Sequence, residues 1–349
     1  MIDKKPVILM MNDLHIGKET IQDFRLNFEE AIQVCNKYDI KHLCIGGDMF
    51  QSRASQTLSI LLTVKELLNE CANKHEIQVS IIEGNHDKVD QEKDEGYCHL
   101  FDTIPGVHVA KDYFTLRSES DDWNFVLHML GYYPENGSFS DKLKGLIKSS
   151  LDPIKKNYLY IHEGINGALA QESDNELPSH IFKDFDKVFV GHYHNRTKID
   201  GTNIEYIGSS RQHNFGEDEE KGYTIIFSDS STQFIKNTVN VRYKNIDIPF
   251  DKMGVMLLDE IDELKHQGYK VKVKIRCKSE QVTSVNKQEI LTAGASKVEI
   301  VQEELEETNV QQSVFVKFDK SGIKTAYEEF CESKSIDDVE TGIKYLSKI

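Results

Sequence analysis

The chain reads as short apolar runs separated by polar stretches, and five of those runs break off at clusters of Asp, Asn, His and Gly. The runs at residues 7–11, 42–45, 79–82, 158–161 and 187–190 are nearly unbroken apolar segments, the pattern of strands buried on both faces. They lead into Asp13-Leu14-His15, Gly46-Gly47-Asp48, Gly84-Asn85-His86-Asp87, His162-Glu163-Gly164 and Gly191-His192-Tyr193-His194. Between the first two runs, Phe24, Phe28, Ala31, Ile32 and Cys35 recur on one face of an amphipathic helix. Leu58, Leu61, Leu62 and Leu68, with Ile60, Val64 and Leu67 beside them, predict a second helix with a wider apolar face. Such alternation predicts an α/β layered domain. Strand-like segments at 206–207 and 223–227 predict a second sheet packed behind the first.

Beyond about residue 251 the pattern changes. A helix over 255–264, a strand over 269–277, a helix over 282–291 and a strand over 298–301 predict a small separate α/β module. Residues 303–312 are polar and acidic, as in a linker. Ile323, Ala326, Tyr327 and Phe330 would line one short helix, and Val339, Ile343 and Leu346 another. Ser335 and Asp338 have the spacing of a capping box that opens the second. So short a pair buries little surface alone, and its apolar stripe would dock either on a partner or on its own chain. The expected fold class is therefore α/β: a two-sheet sandwich flanked by helices over 1–248, a small α/β domain over 249–312, and a C-terminal helix pair within 313–349.

Composition narrows the setting. The six cysteines are scattered with no C-x-x-C pair, so reduced thiols in a cytoplasmic compartment are expected. The apolar run near the N-terminus is too short for a signal core or a membrane span, and no later run is longer, so a soluble protein that is not exported and has no membrane partner is expected. A net charge of −16 argues against a protein that coats nucleic acid, which needs many cationic phosphate contacts. A metal site reverses the local sign, because two divalent ions set against Asp13 and Asp48 leave about +2.

Oxygen and imidazole donors suit hard or borderline divalent cations such as manganese, iron or zinc. A centre with two ions needs a shared ligand, and Asp48 is the best candidate because a carboxylate can span both. Asp13 and His15 lie one residue apart at a strand end, so both can reach one cleft. Asn85 offers a neutral carbonyl oxygen, His192 and His194 bracket Tyr193, and His162 completes the set. His86, next to Asn85, either donates a proton to a leaving oxygen or orients its neighbours.

The ordered set D-x-H, G-G-D, G-N-H-D, H and G-H-x-H resembles the calcineurin-like metallophosphoesterase superfamily. Within it, NDLHIG, the approach LPSHIFKDFDKVFVGHYHN, and the later YIGSSRQHNFGEDEEKGY are similar to the SbcD-type nuclease subunits of DNA double-strand-break repair complexes, phage counterparts included. GDMFQSR and GNHD depart from the protein-phosphatase pattern of the same superfamily. The resemblance spans residues 6–227 and implies a two-sheet sandwich followed by a capping domain that helps position DNA, here residues 249–312. It implies one metal on Asp13, His15, Asp48 and His194, a second on Asp48, Asn85, His162 and His192, and His86 as the catalytic histidine. It further implies two divalent cofactor ions, Mn2+ foremost, with Mg2+, Fe2+ or Zn2+ as alternatives. The implied activity is 3′-to-5′ exonuclease on duplex DNA ends with endonuclease on single strands or hairpins. The implied partners are DNA, an SbcC-type ATPase bound through the C-terminal helices, and a second copy within a heterotetramer.

Some family members carry a His three residues after the G-D aspartate. Gln51 stands there, and an amide can hold a phosphate but cannot shuttle a proton. Gln51 and Arg53 are candidate DNA contacts. Lys270, Lys272, Lys274 and Arg276 alternate with apolar residues, which places four cations on one strand face able to track a DNA backbone. The same cations would also guard an edge strand against sheet-to-sheet association. Two rivals remain at this stage: a phosphodiesterase for small substrates, and a scaffold that keeps the fold without the chemistry.

Overall fold

The computed structural model describes residues 4–169, 173 and 175–302, and in the C-terminal stretch Tyr327, Cys331, Val339 and Ile343. The chain divides into two compact units, Met1–Gln302 and Glu303–Ile349. In the second, the four described positions are helical. The expected linker at 303–312, the helix-lining Ile323, Ala326, Phe330 and Leu346, and the Ser335/Asp338 cap lie outside the described residues.

In chain order the first unit runs β1 (Pro6–Met11), α1 (Ile21–Tyr38), β2 (His42–Gly46), α2 (Leu58–Asn69), β3 (Gln78–Ile82), β4 (Val107–Val109), β5 (Tyr113–Leu116) and β6 (Phe125–Leu130). It continues with α3 (Phe139–Ser150), β7 (Lys156–His162), β8 (Lys187–Gly191), β9 (Thr197–Lys198), β10 (Ile204–Tyr206), β11 (Gly222–Phe227) and β12 (Thr232–Lys236). The last elements are β13 (Arg242–Pro249), α4 (Val255–His266), β14 (Tyr269–Cys277), α5 (Lys287–Ala293) and β15 (Lys297–Gln302).

Two six-stranded sheets, ordered β12-β11-β1-β2-β3-β4 and β5-β6-β7-β8-β10-β9, face one another. Alternate residues of each central strand point to opposite faces, and both faces are covered. Ile8 and Met10 of β1 join Cys44, Phe125, Met129, Tyr160 and Phe189 between the sheets. Leu9 and Met11 pack instead with Phe24, Phe28, Val64 and Leu67 of α1 and α2. On the far side, Phe139, Leu143 and Leu146 of α3 cover Leu159, Val188 and Val190. The result is a helix–sheet–sheet–helix sandwich, and continuous apolar strands are what two-sided burial requires.

The structure corrects three sequence expectations. The two segments expected to form a second sheet are split, with β11 beside β1 in the first sheet and β10 beside β8 in the second. The ligand-bearing strands divide likewise, β1, β2 and β3 in the first and β7 and β8 in the second. On α2 the apolar face is narrower than expected, because Leu58 and Leu62 are 70% and 54% exposed. The helix expected over 282–291 is broken. Asn286 caps α5 by accepting from the Glu289 amide, and a separate 3-10 turn, Ser279–Ser284, precedes it.

The small third sheet is parallel, ordered β13-β14-β15. Val271, Val273 and Ile275 of β14 face Ile261 of α4 and Ile290 of α5 in its core. β14 is therefore the central strand, which removes the edge-strand explanation of its cations. On the opposite face Lys272 pairs with Glu299 at 2.6 Å, and Lys274 and Arg276 meet Asp247 at 3.5 and 2.8 Å.

Candidate metal centre

Each strand that carries candidate ligands stops where its backbone turns sharply. Asp13, His15, Asp48 and His192 all have left-handed backbones, with φ of 53°, 44°, 50° and 90°. Non-glycine residues adopt this region at a cost of about 1–3 kcal/mol each and persist there when their surroundings over-determine them. The loops are stapled by main-chain bonds: the amides of Asp13, His15 and Ile16 donate to Gly47 O, Asp48 O and Met49 O at 2.8–3.0 Å. Asp87, buried, accepts from the Phe50 amide at 3.0 Å and the Gly84 amide at 2.8 Å, joining the loop after β2 to the loop after β3. At Gly84 a side chain would force a shift, because a Cβ would collide with Asp48 Oδ1 and the Asp48 amide.

These turns bring all the candidate ligands and His86 together at the C-terminal edge of both sheets. Asp13 Oδ1 lies 4.0, 3.9 and 3.8 Å from the Nε2 atoms of His15, His162 and His194. Asp48 Oδ2 lies 3.5 Å from His15 Nε2 and 3.3 Å from His162 Nε2, so one oxygen serves two groups of donors. His192 Nδ1 and Asn85 Oδ1 are 3.3 Å apart. His15 Nε2 and His194 Nε2 approach to 3.1 Å.

Two ring nitrogens at that distance need a proton or a cation between their lone pairs. Ligand atoms about 2.1 Å from one ion and at about 90–110° to each other sit roughly 3.0–3.4 Å apart, which matches the shortest of these separations. His162 Nε2 is buried without a directed hydrogen-bond partner, a state that costs free energy unless something is bound there. Three Asp/His groups, Asp13-His15-His194, His15-Asp48-His86 and Asp13-Asp48-His162, each have the span of a cation site. The donor set fits divalent metals.

Supporting residues fix which nitrogen faces inward. His162 Nδ1 donates to Gly46 O at 2.8 Å, and His194 Nδ1 donates to Glu217 Oε1 at 2.8 Å, leaving both Nε2 atoms for the centre. His86 differs. Its Nδ1 bonds Gln51 O at 2.8 Å and its amide donates to Asp48 Oδ1 at 2.8 Å, so the ring stands beside the ligands with its Nε2 edge uncommitted.

Burial pushes the His15 imidazole down to about 4 against the pull of Asp48 and Asp13, and burial with nearby His162 does the same to His192. Both are neutral, the state in which an imidazole can take a metal ion. His162 goes the other way: burial would lower it, but the carboxylates of Asp48 and Asp13 outweigh burial and push it up to about 10.

The cavity above these atoms measures about 390 Å3 and is lined by His15, Asp48, Gln51, Arg53, Asn85, His86, His192, His194, His213 and Asn214. Gln51 and Arg53 thus stand at its exposed rim. Lys270, Lys272, Lys274 and Arg276 do not line it; they belong to the open face of the third sheet. Sequence reading gave no role to His213 or Glu217, although both lie in the quoted HNFGE run. His213 donates from Nε2 to Asp13 O at 2.7 Å, and Glu217 Oε2 accepts from the His213 amide at 3.0 Å. Gln212 adds a link to the third sheet: its side chain accepts from the Tyr243 amide at 2.8 Å and donates to Tyr243 O at 3.1 Å.

A sequence profile of the calcineurin-like phosphoesterase family matches residues 6–222. The chain is 25% identical over 236 residues to the SbcD subunit of the SbcCD nuclease of Staphylococcus epidermidis, covering 60% of this chain and 61% of that protein. The counterpart from Staphylococcus saprophyticus is 22% identical over the same lengths. The chain thus spans about three-fifths of the curated relatives it matches. Among solved structures, a dimetal phosphatase from Danio rerio gives a TM-score of 0.35 at 9% identity, covering 58% of this chain and 86% of that one. The nuclease MPE of Pseudomonas putida gives 0.28 at 13% identity, covering 63% and 84%. Among the described residues, no helix is long and apolar enough to cross a membrane.

Proposed function

This chain belongs to the calcineurin-like phosphoesterase family, and we propose that it is a two-metal-dependent DNA nuclease, the catalytic subunit of an SbcC/SbcD-type repair and recombination complex. The observation that carries the reading is Asp48 Oδ2, 3.5 Å from His15 Nε2 and 3.3 Å from His162 Nε2, one carboxylate oxygen common to two donor groups. On this reading Asp13, His15, Asp48 and His194 hold one ion and Asp48, Asn85, His162 and His192 the other, with Mn2+ the first candidate. Bound there, such ions supply Lewis-acid polarisation of a phosphodiester and a water of lowered pKa.

The chain's own groups do the rest. Gly46 O and Glu217 keep the His162 and His194 rings turned inward. Gln51 O holds His86 by Nδ1, so that a protonated ring presents Nε2–H to the leaving oxygen, the general-acid role. Gln51 and Arg53 at the rim steady the flanking phosphates, and the cationic face of β14 extends the track. Residues 249–312 act as the capping domain. Residues 313–349 dock the ATPase, within an assembly that pairs two copies of this chain.

The test is an assay with manganese on end-labelled duplex, single-stranded DNA and bis-p-nitrophenyl phosphate, with and without EDTA. Chelator-sensitive cleavage of DNA is expected. Turnover of the small ester alone, even with an SbcC-type partner present, would replace the nuclease with a small-substrate phosphodiesterase. No turnover of any substrate would leave a scaffold. Removing residues 322–349 is expected to abolish co-purification with the ATPase and spare metal content.

A further inference from the structure

A second cavity of about 550 Å3 adjoins the metal cavity, and Gln51 lines both. It lies between the loop after His15 and the loop after Asp48. Ile16 and Ile60 lie beneath it, both buried in the main core, and Ser55, Gln56 and Thr57 give it neutral polar walls. Lys18 and Glu19 are its charged residues, one of each sign, so it is not an anion trap. The decisive group is Gln56. Its amide nitrogen is tied to Ser52 O, which fixes the side chain, while its carbonyl Oε1 is buried with no partner. A buried acceptor left without a donor is costly, and this one is met by a ligand that brings an N–H.

We propose that this cavity is a nucleobase subsite, in which the nucleotide flanking the scissile phosphate inserts its base between the two loops and donates an exocyclic amino hydrogen to Gln56 Oε1. Neutral edge groups and an unfilled acceptor suit the hydrogen-bonding edge of a base. Cytosine, adenine and guanine carry that amino group. Uracil presents a carbonyl at the position where cytosine has its amine, and would set oxygen against oxygen. The inference rests on the nuclease reading and deepens it: the strand entering the centre is unpaired at that base, and its identity matters.

The experiment uses the full chain with manganese and single-stranded oligonucleotides that carry cytosine, uracil or an abasic residue on each side of one cleavable bond in turn. On one side, cytosine is expected to be cleaved about tenfold faster than uracil or the abasic residue. Gln56→Leu should erase that preference and still turn over bis-p-nitrophenyl phosphate at the rate of the unaltered chain. Equal rates for cytosine and uracil in the unaltered chain, or a preference that survives Gln56→Leu, overturns the subsite. A Gln56→Leu variant that loses the small ester as well overturns it too, because the residue would then support the centre and not the base. Failure of the nuclease reading looks different: the unaltered chain would cleave the ester but no oligonucleotide, or nothing at all, and the subsite would fall with it.

Discussion

Replacing Glu217 with Gln removes one charge at the centre. Glu217 Oε1 accepts from His194 Nδ1 at 2.8 Å, and Oε2 takes the His213 amide at 3.0 Å. Together with the charge of nearby Asp13, this contact raises the His194 imidazole, against burial that would lower it. Glutamine keeps the volume and a carbonyl acceptor, and the main-chain bond from Gln212 Nε2 to Glu217 O at 2.9 Å is untouched. What changes is the charge and one acceptor, because with the carbonyl facing His194 the amide nitrogen replaces Oε2 and the bond from the His213 amide is lost. A hydrogen bond to a charged acceptor contributes about 1.5–3 kcal/mol, against about 0.5–1.5 kcal/mol for a neutral one. The difference of roughly 1–1.5 kcal/mol corresponds to about tenfold in affinity, within the range found when outer-shell partners of metal-bound His are removed. Calorimetric titration with Mn2+ should therefore resolve one ion bound about tenfold more weakly and one unchanged, since His162 is held by Gly46 O. Equal weakening of both ions, or no change in either, refutes the assignment of Glu217 to His194.

Three further outcomes follow from the same geometry. His86→Ser should retain both ions by metal analysis and lose on the order of 10²–10⁴ in turnover; loss of metal would reassign His86 to ligand support. Metal uptake should release a proton, because His162, pushed up to about 10, is protonated at neutral pH in the metal-free chain and must lose that proton to bind. Affinity should thus rise with pH up to about 10, measured as buffer-dependent heats of binding, and a flat profile from about pH 6 to 9 removes His162 from the ligand set. Gly84→Ala should lower stability by about 1–3 kcal/mol and weaken metal binding, because its Cβ would meet Asp48; a urea midpoint equal to that of the unaltered chain would contradict the close approach.

Much of the candidate site was legible because possible donors cluster where apolar runs stop: Asp13, Asp48, Asn85, His162 and His192 all follow such runs. The division of those strands between two sheets was not, since a strand buried on both faces looks the same in either sheet. β6 and α3 went unread for a related reason. Neither ends in a ligand, and Phe139, Leu143 and Leu146 supply only a short stripe. The supporting groups Gly46 O, Gln51 O and Asp13 O are main-chain carbonyls and leave no trace in residue identity. His213 and Glu217 did leave one, a His and a Glu four residues apart in a loop, but only the folded chain relates them to His194. The alternating cations of β14 revealed its face correctly, whereas its central position depends on β13 and β15 and could not be read from β14 alone.

That the donors come from both layers has a thermodynamic result. Asp13, Asp48 and Asn85 hang from one leaf of the sandwich and His162, His192 and His194 from the other, so a chelated ion is a clasp across the seam. Free ion at about a hundred times its dissociation constant would add about 2.7 kcal/mol to the work of parting the leaves. Starvation for metal would then loosen the scaffold as well as silence the chemistry, and resistance to proteolysis should track the ion supply.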